Sequence, residues 1–375
     1  MRTQARIDLS AVRGNVAALA GHAPGAEVMA VVKADGYGHG MVPSARAAVE
    51  GGAGWLGVAF LEEALALRAA GLDVPVLAWL TTPGEPMAAA VAADIDLGTY
   101  DTGQLAAAQA AALEAGRPAR LHLKVDTGLS RGGATSAEWP QLCEAAAKAQ
   151  ADGSVQVVGV WSHFAHADAP GHPTAVRQLA LFREALEVAA RLGLQPQVRH
   201  LANSAATLTA PDTHFDLVRP GLAVYGLSPV PQLGPPSAYG LRPAMTLVST
   251  VALAKRVPAG SGVSYGHRYT TERATTLALV PMGYADGVPR AATNLAEVLL
   301  GGRRRRIAGT VCMDQFVLDV GDDPVEAGEQ VLLFGPGDAG EPTAQDWAER
   351  LATIDYEIVS RVGARVPRTY AEGPA

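Results

Sequence analysis

The sequence predicts a (β/α)8 barrel followed by a mostly β domain, and three observations carry that prediction. Apolar strand-like runs alternate with alanine-rich helical runs from the start to about residue 226. Eight strand-like runs fall in that stretch, which suits a closed barrel better than an open doubly wound sheet. After the proline- and glycine-rich stretch PVPQLGPPSAYG (229–240), strand-like runs continue with no long helix between them.

The barrel strands are expected at Val28–Ala34, Trp55–Ala59, Val74–Leu80, Asp96–Tyr100, Arg120–Asp126, Val155–Phe164, Val198–Ser204 and Leu217–Gly226. Helical stretches such as Leu61–Ala70, Gln104–Ala115 and Arg177–Leu192 separate them, each running into a glycine (Gly71, Gly116, Gly193), the usual helix stop. Residues 8–230 thus make the barrel and 231–375 the β domain, with residues 1–7 available to join the latter. In the β domain the strand-type runs are Leu247–Val257, Thr275–Val280, Ile307–Val320 and Gln330–Phe334. One helix is expected from Ala344 to Leu351, with Thr343 as its cap. The arginine run Arg303–Arg306 reads as a hairpin tip or strand end.

A net charge of −7 argues against nucleic acid as a general partner. Two cysteines are too few for a disulfide framework, no stretch is apolar enough for a membrane span, and nothing at the start resembles a signal peptide. The expectation is a cytoplasmic enzyme without a membrane partner.

Barrel chemistry sits at the carboxyl ends of the strands, and polar residues gather there. Strand one ends in Lys33 and a glycine-rich loop. Strand five carries Lys124 and Asp126, followed by Gly128 and Arg131. Strand six ends in Ser162 and His163, strand seven in Asn203 and Ser204, and strand eight brings Arg219 and Gly221. Any one of these reads equally well as a satisfied polar group at a barrel rim; five strand ends sharing the pattern read as a site. Ser204 and Gly221 follow strands seven and eight, where barrels commonly hold phosphate. A lysine across the mouth from a phosphate site suits a Schiff base with a phosphorylated aldehyde, pyridoxal 5'-phosphate above all. Arg219, if it faces the ring nitrogen of that cofactor, donates a hydrogen bond without giving up its proton. The pyridine is then a weak electron sink, which fits an enzyme that removes one α-proton and promptly replaces it.

With these residues placed, the sequence resembles the bacterial alanine racemases along nearly the whole chain. AVVKADGYGHG (30–40) resembles the segment that carries the cofactor lysine, here Lys33, with Tyr37 near the phosphate. KVDTGLSRGG (124–133) resembles the stretch in which a carbamylated lysine, here Lys124, holds an arginine, here Arg131. WSHFAHAD matches through His163, and LANSAA and VRPGLAVYG through Asn203, Ser204, Arg219, Gly221 and Leu222. In the β domain, SGVSYGHRY supplies Tyr265, PMGYADG Tyr284, GTVCMDQF Met313 and Asp314, and IDYEIVSRVGARVPR Tyr356, a further phosphate contact.

The resemblance implies a homodimer that interconverts L- and D-alanine and supplies D-alanine for peptidoglycan. Inversion needs a base on each face of the substrate. Lys33 would serve one face and Tyr265, entering from the other subunit, the second, aided by a run through His163 to Arg219. Arg131 and the backbone of Met313 would hold the substrate carboxylate. Tyr265 and Tyr284 would narrow the entrance to favour a methyl side chain. Gly36 stands where alanine is frequent in the family, a change the loop is expected to tolerate, with more flexibility. An ordinary Lys124–carboxylate pair is the alternative to carbamylation. A racemase of broader range (serine, for instance), a decarboxylase of basic amino acids and a non-catalytic cofactor-binding barrel are the rival readings. A metal-dependent hydrolase built on His163, His166, Asp168 and His172 is another, but it leaves Lys33 and Arg219 without a role.

Overall fold

The computed structural model describes residues 2–373. Its barrel strands are Glu27–Val31, Trp55–Val58, Val76–Ala78, Ile95–Thr99, Ala119–Lys124, Val155–Trp161, Val198–His200 and Leu217–Val218, all parallel and paired in chain order. The first strand also pairs with the eighth. Between the seventh and eighth, closure rests on a bridge of Asn203 with Arg219 and on the Arg219 amide donating to the Ala202 carbonyl at 2.9 Å. The eight strand positions expected from the sequence are therefore all occupied.

Two apolar layers hold the barrel. Strand residues pointing outward, such as Val28, Ala30, Leu56, Leu97 and Leu121, pack with the helices in one large core. Inside the barrel a smaller cluster of Met29, Trp55, Leu77, Val158 and Leu217 fills the lower part, with Trp79 against it. Asp8 and Asp101 open the helices Leu9–His22 and Thr102–Ala115 by accepting from the Ala11 and Gln104 amides, satisfying donors with no partner of their own in the first turn.

The β region forms a six-stranded sheet in the order Arg303–Arg306, Glu297–Leu300, Gln330–Phe334, Met245–Thr250, Thr3–Asp8, Arg368–Ala371. A three-stranded sheet of Leu253–Val257, Thr275–Val280 and Phe316–Gly321 lies beside it. The strand Thr3–Asp8 sits between Met245–Thr250 and Arg368–Ala371, so the first and last described strands share one sheet. The helix Ala344–Leu351 is present with Thr343 as its cap, in a reciprocal pair with Asp346. The arginine run is an edge strand whose charges meet Asp323 and Asp346, the kind of charged edge that discourages further strand pairing.

Two expected strands are divided. Leu247–Val257 is two strands in different sheets, because the chain crosses between them at Val251 and Ala252. Ile307–Val320 is a loop over Gly309–Gln315 followed by a strand from Phe316. Hydropathy reports burial and not hydrogen-bond partners, and Val311 is fully buried without being in a strand. Among the described residues no helix is long and apolar enough to cross a membrane.

Candidate active site

At the carboxyl ends of the barrel strands lies a cavity of about 590 Å³. Lys33, Tyr37, Lys124, Arg131, His163, Asn203, Ser204, Arg219, Gly221, Leu222 and Tyr356 all line it. Its other walls include Trp79, Tyr100 and Trp161, which motif reading passed over. They stand at or just past strand ends, a position that marks them in hindsight. The lining contains two lysines and two arginines and no carboxylate, so the cavity suits an anion.

Lys33 is presented by an unusual piece of backbone. Ala34, Asp35, Gly36 and Tyr37 have φ of 53°, 52°, 61° and 52°, a single left-handed helical turn. Each residue with a Cβ loses about 1–2 kcal/mol in that conformation. The turn is held from outside by Glu63, which accepts from the Ala34 amide at 2.7 Å, and from inside by Asp35, which accepts from the Met41 amide at 2.9 Å. Because of the turn, Lys33 and Tyr37 both enter the cavity. Gly36 is buried at its centre, where a glycine adopts the positive φ without a Cβ penalty. A Cβ on it would come within 3.2 Å of Ser44 Oγ and 3.3 Å of Tyr225 Oη. Gly36→Ala is expected to cost about 1 kcal/mol, read as a lower denaturant midpoint at unchanged slope.

The electrostatics follow from burial among cations. Burial lowers the Lys33 pKa, and neighbouring Arg131 lowers it further, against a weaker pull from Glu63. Lys124 is brought down to about 8, by burial first and then by Arg131 and Arg219. Its ammonium nitrogen lies 4.8 Å from the Tyr100 ring centre and 4.7 Å from that of Trp161. Among the described residues it makes no ion pair with a carboxylate; Asp126 accepts from the Gly128, Leu129 and Ser130 amides.

Arg219 is buried, and burial lowers its pKa to about 9. It donates to the Ser162 carbonyl at 2.8 Å, to His200 Nδ1 at 3.0 Å and to His163 Nδ1 at 3.3 Å, while its Nε has no protein partner among the described residues. His163 is held neutral by its burial and by the surrounding cations, Arg219 foremost. Ser204 Oγ accepts from the amides of Gly221 (2.9 Å) and Ala223 (3.3 Å). A Cβ on Gly221 would lie 2.2 Å from Tyr37 Oη, so only glycine lets that phenol reach the strand-eight turn. The hydroxyls of Tyr37 and Tyr356, whose rings are 6.2 Å apart, have no protein partner among the described residues. Free phenol donors beside a glycine turn at one end, an unpaired guanidinium N–H in the middle and an amine of lowered pKa beyond fit pyridoxal 5'-phosphate.

Tyr265, Tyr284, Met313 and Asp314 do not line this cavity. They stand in the β region, with Tyr265 74%, Met313 53% and Tyr284 44% exposed. Their loops are woven together. Thr310 Oγ1 donates to the Tyr265 carbonyl at 2.8 Å, Ser264 Oγ to the Thr310 carbonyl at 2.6 Å, and the Tyr284 amide to the Cys312 carbonyl at 3.0 Å. Asp314 pairs with Arg365 at 2.8 Å, and Arg365 also reaches buried Asp286. These residues lie on exposed loops, and among the described residues of one chain no hydrogen-bonded run joins Tyr265 to His163.

Comparison with known proteins agrees from end to end. Residues 7–229 match the family model for the alanine racemase N-terminal domain, and residues 244–370 the model for the C-terminal domain. The chain is 70% identical over 370 residues to an alanine racemase of Frankia casuarinae, covering 99% of this chain and 96% of that one. An alanine racemase of Thermobifida fusca is 62% identical over 98% of this chain and 97% of its own. Among solved structures, the alanine racemase of a D-cycloserine-producing Streptomyces lavendulae superposes with a TM-score of 0.98 at 57% identity, covering 100% of this chain and 98% of that one. One from Bacillus anthracis, determined with bound L-Ala-P, does so at 0.90 and 36%, covering 99% and 95%.

Proposed function

The chain belongs to the alanine racemase family and interconverts L- and D-alanine, and from that premise we propose which of its groups do the work. The single observation that carries the assignment is the cavity lined by Lys33, Arg131 and Arg219 without a carboxylate, its lysine shifted toward the free amine.

Tyr37, Ser204, Gly221, Leu222 and Tyr356 would hold the phosphate of pyridoxal 5'-phosphate, Arg219 its ring nitrogen, and Arg131 its phenolic oxygen, with His163 and Asn203 alongside. When bound, the cofactor supplies an electron sink that makes the α-proton of alanine removable. Lys33 takes or returns that proton on one face, which its depressed pKa favours. Tyr265 of a second copy does so on the other. The exposure of Tyr265 and Met313, and the bonds that tie their loops together, support a shared site in a homodimer. The Met313 amide and Arg131 orient the substrate carboxylate, and Tyr284 and Asp314 border the entrance.

The deciding experiment is D-alanine formation from L-alanine in heavy water by the purified enzyme. Product carrying solvent deuterium at Cα is the expected outcome. Exchange without inversion would mean that only one base works.

Lys124 can react with carbon dioxide as the free amine, forming an N–C bond and releasing one proton; its pKa of about 8 makes that form accessible. The carbamate would give Arg131 the anionic partner that the cavity lining lacks. Carbon-13 NMR in labelled bicarbonate should show a carbamate resonance that is missing from Lys124→Gln. An unchanged spectrum in that variant would leave Lys124 a plain amine.

A further inference from the structure

A chain of buried polar groups runs from Arg219 down through the barrel. Arg219 donates to His200 Nδ1 at 3.0 Å, His200 Nε2 meets His122 Nδ1 at 2.8 Å, and His122 Nε2 meets Asp96 Oδ2 at 3.0 Å. Asp96, His122 and His200 are fully buried. Asp96 is gripped on its other side by Arg120, at 2.5 Å from Oδ1 and 3.2 Å from Oδ2. The fold makes room for this chain: a Cβ on Gly159 would sit 2.2 Å from His122 Nδ1, and the pairing of strands five and six shifts register beside His122.

The ends of the chain dictate its middle. A guanidinium only donates and a carboxylate only accepts, so each imidazole must accept on its Nδ1 and donate from its Nε2. A doubly protonated His122 would donate to His200 as well, turning the His200 N–H against that of Arg219. Both histidines are therefore neutral, and burial of His200 together with nearby Arg219 lowers its pKa as this requires.

We propose that Asp96 is a positioning residue for the cofactor site, fixing through His122 and His200 the acceptor that aims the Arg219 guanidinium at the ring nitrogen. It acts from two imidazoles away and touches neither cofactor nor substrate. A carboxylate that sets an imidazole's tautomer commonly matters more than its distance suggests. The effect on catalysis rests on the cofactor reading above; the tautomers do not.

Nitrogen-15 NMR of histidine-labelled enzyme tests the arrangement without any variant. His122 and His200 should both carry their proton on Nε2, with Nδ1 bare in each. A proton on Nδ1 of either overturns the proposal. Asp96→Asn tests its consequence. Arg120, being charged, keeps the amide oxygen, which leaves the amide NH2 facing His122 and reverses both tautomers. The absorption maximum of the bound cofactor should then move, and racemisation should slow by about 10–100-fold with little change in KM.

Arg120→Gln added to Asp96→Asn frees the amide oxygen for His122 and should restore tautomers, absorption and most of the rate. An Asp96→Asn enzyme with parental tautomers and absorption would reduce Asp96 to a structural ion pair, whatever its rate. If that variant does not fold, the tautomers of the parent enzyme decide. Loss of racemisation with the parental nitrogen-15 pattern intact would count against the racemase assignment of residues and not against the buried chain.

Discussion

Lys33→Ala is expected to abolish racemisation in both directions, by at least ~10³-fold, since on the proposed assignment it removes at once a covalent anchor and a general base. The side chain stands alone at its place in the cavity: Lys124 is fixed between Tyr100 and Trp161, and no other amine lines the walls. The variant should fold normally, because the amine makes no ion pair among the described residues and its loss relieves an unfavourable neighbourhood with Arg131. Three measurements check it together: racemisation in each direction, the absorption band of lysine-bound cofactor, and the denaturant midpoint. The first two should vanish while the third holds. Residual racemisation above about a hundredth of the parent rate would mean that another group carries the proton on that face.

Tyr265→Phe should slow the reaction by about 10²–10⁴-fold while leaving the cofactor band in place, since only a proton donor and acceptor is lost. The effect should be lopsided: α-deuterium exchange from one enantiomer falls steeply, and exchange from the other, served by Lys33, much less. Equal losses in both directions at the same isotope-sensitive step would remove Tyr265 from the two-base scheme. Within one chain Tyr265 lies outside the cavity, so its action should come from a second copy. Mixed dimers of Lys33→Ala and Tyr265→Phe chains would then contain one intact site and regain part of the parent rate. Subunit exchange verified by mass with no recovery would place both bases in the same chain.

The barrel was legible because its strands are short apolar runs separated by alanine-rich helices, and because Gly71, Gly116 and Gly193 mark where those helices stop. In the β region, hydropathy alone merged what the fold divides. A strand that changes sheets at Val251 and a buried loop at Val311 present the same apolar text as a continuous strand. The cavity residues were legible through strand ends and through family resemblance together. The aromatic walls around Lys124 and the Asp96–His122–His200 chain were not, because each of those residues looks like ordinary barrel filling. Their meaning lies in partners 26 and 78 positions away in sequence, which no local pattern encodes.

The left-handed turn at residues 34–37 has an evolutionary corollary. Selection for stability alone would erode it, since almost any rearrangement that returns Ala34, Asp35 and Tyr37 to ordinary backbone angles lowers the energy of the chain. Selection for turnover should keep restoring it, because this turn carries both Lys33 and Tyr37 to the wall of one cavity. Directed evolution of this enzyme toward heat resistance should therefore gain little at these positions without losing activity. Lineages that succeed should place their stabilising changes in the β region or on the outer helices, and should leave Glu63 untouched.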